Sequence, residues 1–246
     1  MKIIDAHIHL GDCRVFDMNI TEDQLMEAIE NAGIDAAIVQ PFPGANDCKE
    51  VHDRIYQLSK KYPGKIFGLA SVNPHIDKNE YVKEVTRCVK DLGFVGVKLH
   101  TIGHAVNPMS RDAHVIYETA RQLGVPVLIH TGPGVPFALP SLVISPARQY
   151  PDVKFVLAHA GASIFTCEAV VAAQTCKNVY LELSWVHVEE TIGLLSAVPS
   201  NQLMYASDSL KNTTLELEKF RVLDLTEQQK IDIHYQTAKT VYNLPV

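Results

Sequence analysis

Positive charge is in short supply in this chain. Against 28 Asp and Glu stand 22 Lys and Arg in 246 residues, a formal net charge of -6 with histidine neutral. No stretch gathers the basic residues, so nothing marks a nucleic-acid surface. Long hydrophobic runs are missing as well. No apolar stretch approaches the roughly 18 residues that a membrane-spanning helix needs, and the opening MKIIDAHIHL has no apolar segment of the signal-peptide kind. Cysteine is sparse: Cys13, Cys48, Cys88, Cys167 and Cys176 are odd in number and form no CxxC pair. They read as free thiols, and the expected setting is the cytoplasm, with no membrane and no nucleic-acid partner. Linkers, repeats and low-complexity stretches are absent too, so residues 1-246 are expected to form one domain.

What is present is alternation. Eight apolar, β-branched runs recur: KIIDAHIHL, DAAIVQP, KIFGLASVNP, FVGVKLH, VPVLIHTG, VKFVLAHA, VYLELS and LMYASD. Between them lie segments of helical spacing at 22-33, 47-62, 79-92, 111-123, 164-176 and 187-197, with a shorter one at 141-150 and two closing ones at 214-221 and 226-242. Thr21 with Gln24 three residues on reads as a capping box for the first helix. Strands alternating with helices imply parallel pairing through crossovers. Eight such units predict an α/β fold, a single (β/α)8 TIM-type barrel. A doubly wound sheet would carry a glycine-rich loop after its first strand; here that strand ends in histidines.

Strand side chains alternate, so Asp5, His7 and His9 are expected on one face of the first strand. Chemistry in such barrels collects at the strand C-termini. Strand four ends in Lys98 and His100, strand five in His130, strand six in His159 and strand eight in Asp208. Five of the eleven histidines therefore fall on one ring of positions, which scattered core histidines would not do. Imidazoles with a carboxylate suit a divalent cation that activates water. Zn is the expected ion; Mn, Fe, Ni and Co accept the same donors.

The set DAHIH, GVKLH, LIHTG, LAHAG and ASD, in that order at five strand ends, resembles the amidohydrolase superfamily. More narrowly it is similar to the amidohydrolase-related group containing aminocarboxymuconate-semialdehyde decarboxylase and lactone hydrolases. The closing IDIHYQTAKTVYNL resembles that group's last helix. The resemblance implies that His7, His9, His130 and Asp208 hold one metal, that Asp208 also accepts a proton, and that His159 positions or deprotonates the water. It implies a second metal if Lys98 is carboxylated; the plainer reading gives Lys98 an ion pair or an anionic substrate group. His100 and Arg14 are candidate substrate contacts, and Asp5 a residue that orients a histidine. His104 and His187 are expected in loops, and His52, His114 and His234 as surface or packing residues on helices.

The loops after GVKLH and ASD depart from the group's usual prolines, which leaves the substrate open. The leading expectation is hydrolysis of an amide or lactone bond in a small polar molecule. The alternative is non-oxidative decarboxylation of an unsaturated or aromatic carboxylic acid. A TatD-like nuclease fits less well, since that family has glutamate where Lys98 stands, and a non-catalytic binding barrel would have lost ligands. A homodimer is expected from the resembling group alone.

Overall fold

A computed structural model describes residues 1-134 and 136-246. Strand β1 (Ile4–Cys13) is followed by β2 (Met18–Ile20), helix α1 (Glu22–Asn31), β3 (Ala36–Pro41), α2 (Cys48–Lys61), β4 (Ile66–Ser71), α3 (Lys78–Lys90) and β5 (Gly96–Leu99). Then come α4 (Arg111–Leu123), β6 (Val127–His130), α5 (Ile144–Gln149), β7 (Phe155–Ala158), α6 (Thr166–Thr175) and β8 (Val179–Glu182). The chain closes with α7 (Val188–Ala197), β9 (Leu203–Met204), α8 (Thr213–Arg221), α9 (Glu227–Ile231) and α10 (Thr237–Val241). Among the described residues these strands form one curled sheet of order β2-β1-β3-β4-β5-β6-β7-β8-β9, parallel throughout except for the β1–β2 hairpin. The two ends of the parallel run meet: Ala6 N–H donates to Tyr205 O at 3.2 Å and Asp208 N–H to His7 O at 2.7 Å.

The helices begin where local chemistry places them. Thr21 and Gln24 make the expected capping box of α1, and Asp47 and Asp77 cap α2 and α3 with their carboxylates. Gly124 ends α4 at φ 70°, where a Cβ would be strained.

Two packed layers result. The larger apolar core, including Ile8, Leu10, Val39, Val97, Ile129, Leu157 and Leu181, lies between strands and helices. A smaller one, including Ile4, Ala6, Ile38, Leu69, Leu128, Val156 and Met204, fills the inside of the curl, and Tyr242 and Leu244 pack into it.

The first strand differs from simple alternation in two ways. Its register with β3 shifts between Asp5 and Ile8. Ile4 and Ala6 therefore face the inner core while Ile8 and Leu10 face the outer one. The strand also runs on to Cys13, where a hairpin was not expected, because Gly11 to Cys13 pair antiparallel with Met18 to Ile20. Two smaller differences follow from backbone geometry. Segment 141-150 divides into a 3-10 turn, Pro140–Val143, and the short α5. Segment 226-242 is one rod with a π-helical turn, Asp232–Gln236, in its middle.

Candidate metal centre at the strand ends

The register shift puts His7 and His9 at the inner mouth of the curl. His7 Nε2 lies 3.2 Å from His9 Nε2, and Asp208 Oδ1 lies 3.1 Å from the first and 3.3 Å from the second. Their outer nitrogens decide what these atoms are. His9 Nδ1 faces the carbonyl oxygen of Pro41 at 3.2 Å, an acceptor only, so His9 carries its proton there. His7 Nδ1 faces Glu182 Oε2 at 3.1 Å. Burial would raise the Glu182 carboxyl, but the hydrogen bond from His7 and the nearby imidazoles hold it down at about 2. Glu182 is thus ionised and accepts, and His7 also carries its proton on Nδ1. Burial, and next the Lys98 charge, push His7 down to about 3, so its ring is neutral.

With both rings protonated on Nδ1 alone, two imidazole lone pairs and a carboxylate oxygen converge. Partial burial works against the ionisation of Asp208, yet the facing imidazoles of His7 and His159 hold its carboxyl well below the usual range. Donors about 2.0–2.2 Å from one ion at near-tetrahedral or octahedral angles stand about 3.0–3.5 Å apart, the spacing seen here. Neutral imidazole beside ionised carboxylate is the protonation state a divalent cation requires. Lys98 Nζ, 3.1 Å from His7 Nε2, and Gln40 Nε2, 3.4 Å from His9 Nε2, each reach one of the three acceptors. The donor set fits a cation.

The surrounding frame is rigid. Glu182 takes His7 on one oxygen together with the His159 backbone N–H at 3.1 Å, and the Ser184 N–H on the other at 2.6 Å. His159 Nδ1 meets Ser184 Oγ at 2.7 Å, and its ring stacks on His7 with centroids 5.3 Å apart. His159 (φ 70°), Trp185 (φ 60°) and Asp208 (φ 61°) all take left-handed backbone conformations. Such strain at non-glycine positions gathers where surrounding contacts over-determine the backbone.

Of the residues expected here, the structure brings His7, His9 and Asp208 into one three-donor cluster. His159 stands beside them, joined to Glu182 and His7 in a second one. His130 lines the same cavity but outside both clusters, with its ring 5.0 Å from His159 and stacked 4.4 Å over His100. His100 Nδ1 accepts from the Gly103 N–H at 2.9 Å, which leaves its proton on Nε2. Lys98 is buried, which pushes it down to about 8.

Two expectations need correction. Arg14 is exposed in the β1–β2 hairpin and does not line the cavity; Phe16 and Met18 of the same hairpin do. Asp5 orients no imidazole, because the register shift separates it from His7. It accepts instead from the His7 backbone N–H at 3.1 Å and from Ser207 N–H and Oγ at 3.0 and 2.5 Å, tying β1 to the segment after β9.

Glu182 and Trp185 escaped the sequence reading. Glu182 is not among the expected site residues, although a carboxylate at the C-terminal end of an otherwise apolar strand is a usable signal. Trp185 donates from Nε1 to Asp208 Oδ2 at 2.8 Å. The cavity above the cluster is about 370 Å³, and away from the donors its walls are apolar: Phe16, Met18, Ile20, Phe42, Ile102, Pro133 and Trp185.

The Amidohydrolase family model matches residues 4–244. The chain belongs to the amidohydrolase family. It is accordingly an enzyme, as its relatives are. A 2-keto-4-carboxy-3-hexenedioate hydratase from Sphingobium sp. (strain NBRC 103272 / SYK-6) is 27% identical over 45% of this chain and 40% of its own length, so the match spans about two-fifths of that relative. The 5-carboxyvanillate decarboxylase of Novosphingobium aromaticivorans DSM 12444, solved with manganese and 4-hydroxy-3-methoxy-5-nitrobenzoic acid, superimposes with a TM-score of 0.77 at 16% identity, covering 99% of this chain and 96% of that one. The 4-oxalomesaconate hydratase of Rhodopseudomonas palustris gives a TM-score of 0.71 at 18% identity, covering 98% and 95%. At such identities the superpositions establish the fold. Among the described residues no helix is long and apolar enough to cross a membrane.

Proposed function

We propose that this enzyme is a metal-dependent lyase that decarboxylates an unsaturated or aromatic carboxylic acid. The observation that supports it best is the pairing of a cation-ready donor set with an apolar cavity wall. A flat hydrocarbon body fits the wall, and its carboxylate fits the cation. Hydrolysis of a small polar amide, the first expectation from sequence, explains the donors but not the wall. The relatives, decarboxylases and hydratases, favour the lyase reading too. We also propose that the sheet closes as a complete (β/α)8 barrel, on the strength of the two backbone hydrogen bonds between β1 and the segment after β9.

His7, His9 and Asp208 would hold the ion, with His130 close by. A divalent cation supplies charge that holds a carboxylate-bearing substrate and stabilises the electron pair left when carbon dioxide departs. Manganese has the support of the solved relative; zinc, expected from donor chemistry, has none beyond it. The chain's own residues move the proton. Decarboxylation exchanges a carboxylate for a proton on carbon, so one group must carry a proton to that carbon. Asp208 reaches the cavity, 22% exposed, and is ionised, so it would take a proton from solvent and pass it to that carbon, ending ionised again. His159, fixed by Ser184 and Glu182, would orient the substrate or relay the proton. Hydration of a double bond is the second reading, favoured by the hydratase relative, and it would use the same proton carrier.

The test is a panel of aromatic and unsaturated carboxylic acids, lactones and amides, assayed with manganese chloride. Carbon dioxide release from a flat acid is expected. Turnover confined to lactones or amides would return the reaction to hydrolysis.

A further inference from the structure

We propose that Trp185 is the positioning and specificity residue of this site: its indole N–H holds Asp208 to one-oxygen ligation, and its ring face selects a flat acid. The lyase reading enters only through the nature of the ligand.

Asp208 has two oxygens to offer. Oδ1 faces His7 and His9, while Oδ2 accepts from Trp185 Nε1 at 2.8 Å. A hydrogen bond to an ionised carboxylate is among the stronger kind. With Oδ2 engaged, the carboxylate is kept from rotating or closing on the ion through both oxygens. The same residue is 48% exposed and lines the cavity together with Phe16 and Ile102. A large aromatic with one polar atom suits a position that is apolar on one side and polar at one end.

The backbone shows that the placement is enforced. Trp185 sits at φ 60°, a left-handed conformation that a bulky residue rarely takes. Its backbone N–H donates to Glu216 Oε1 at 2.8 Å. Glu216 is paired with Lys219 at 2.5 Å, and Lys219 Nζ donates to the carbonyls of Leu183 at 2.6 Å and Val186 at 3.1 Å. A nearly buried ion pair on α8 thus clamps both sides of the strained residue. An ordinary surface tryptophan would need no such support.

Trp185 is the single tryptophan of the chain, so its fluorescence reports on this site alone. Manganese chloride added to chelator-treated protein is expected to quench the emission saturably. With manganese bound, benzoate should change the emission further, and cyclohexanecarboxylate should bind at least tenfold more weakly. By electron paramagnetic resonance of free manganese, Trp185→Phe should bind the ion about tenfold more weakly yet keep the preference for benzoate, measured by competition. Trp185→Ala should lose both. Wild-type manganese affinity in Trp185→Phe, or an intact benzoate preference in Trp185→Ala, overturns the proposal. Absence of carbon dioxide release from every acid, with these responses intact, overturns the lyase reading and supports the role of Trp185.

Discussion

Among the described residues, histidine–carboxylate clusters occur at two places, the strand ends and the α2–α3 contact, and only the first is built for a cation. The second sits between α2 and α3, where His52 Nδ1 lies 2.8 Å from Glu84 Oε1, and Cys88 Sγ lies 3.3 Å from His52 and 3.5 Å from Glu84. By residue type it is as good a ligand set as His7, His9 and Asp208. The difference lies in where the hydrogens are. His52 Nε2 accepts from the Ser71 backbone N–H at 3.0 Å, so its proton is on Nδ1 and points at Glu84. Arg87 occupies both Glu84 oxygens, at 2.8 and 2.9 Å. Burial, and next the Glu84 charge, push the Cys88 thiol far above its ordinary range, which keeps it protonated. Each acceptor there already has its donor. At the strand ends the ring Nδ1 protons point outward and three acceptors face one another, with Lys98 and Gln40 each reaching one of them. A metal centre is recognised by converging acceptors, more than by the residues that carry them.

The sharpest way to break that comparison is to empty each cluster in turn. Replacing His7 and His9 together with alanine should take metal content from about one ion per chain to none, with circular dichroism unchanged. His52→Ala should leave metal content alone and cost about 2–4 kcal/mol of stability, since it opens a cavity and strands the Ser71 N–H and a Glu84 oxygen. Elemental analysis beside chemical denaturation separates the two. Metal lost from His52→Ala with the fold intact would reverse the assignment.

Asp208→Asn comes next in size. The amide still offers an oxygen to the cation but cannot carry the proton, and general acid–base catalysis is typically worth about 10²–10⁴-fold. Turnover at saturating substrate and manganese should fall by that factor. Near wild-type turnover would take the proton away from Asp208 and leave His159 as its carrier.

Glu182→Gln should act more gently and through His7. A glutamine amide can still accept from Nδ1, but the charge that raises the basicity of the ring is gone. Loss of such an outer partner typically weakens metal affinity about 10–100-fold. Glu84→Gln, the equivalent change in the other cluster, should leave manganese affinity untouched, and titration of both variants is the measurement.

Much of this architecture was legible because parallel β/α units obey few rules. The strand and helix order followed from periodicity, and the site from the rule that strand C-termini converge. The clusters of His7, His9, His159 and Asp208 could be assembled on that ground alone. The rest depended on facts that periodicity does not carry. A register shift between Asp5 and Ile8 leaves no mark on the alternation of DAHIHL, so Asp5 was placed on the wrong face. Arg14 sits in a hairpin that β1 makes with β2, a pairing that the run of apolar residues does not announce. Glu182 meets its partner His7 across 175 residues of sequence, so its place at a strand end marks it as a site residue without naming that partner.

The smallest effect concerns alkaline pH, and it too separates the two clusters. Lys98 is a buried cation among the site residues, pushed down from 10.5 to about 8, chiefly by burial. The corresponding cation of the outer cluster, Arg87, is partly exposed and held above its ordinary range by Glu84. Between pH 8 and 10.5 the unfolded chain therefore keeps a proton on Lys98 that the folded, metal-free protein gives up. Stability must rise with pH across that window, since it rises wherever the unfolded state binds more protons. The full shift corresponds to about 3 kcal/mol. Buried tyrosines such as Tyr81 and Tyr117, raised by burial, act in the opposite sense above about pH 10, so the comparison must be with Lys98→Met rather than with a flat line. In chelator, urea denaturation at pH 8 and pH 10 should show the gap between wild type and Lys98→Met shifting in favour of the wild type as pH rises. Arg87→Met, measured the same way, should hold a constant gap. A constant gap for Lys98→Met would mean that Lys98 keeps its charge in the folded, metal-free protein throughout that range.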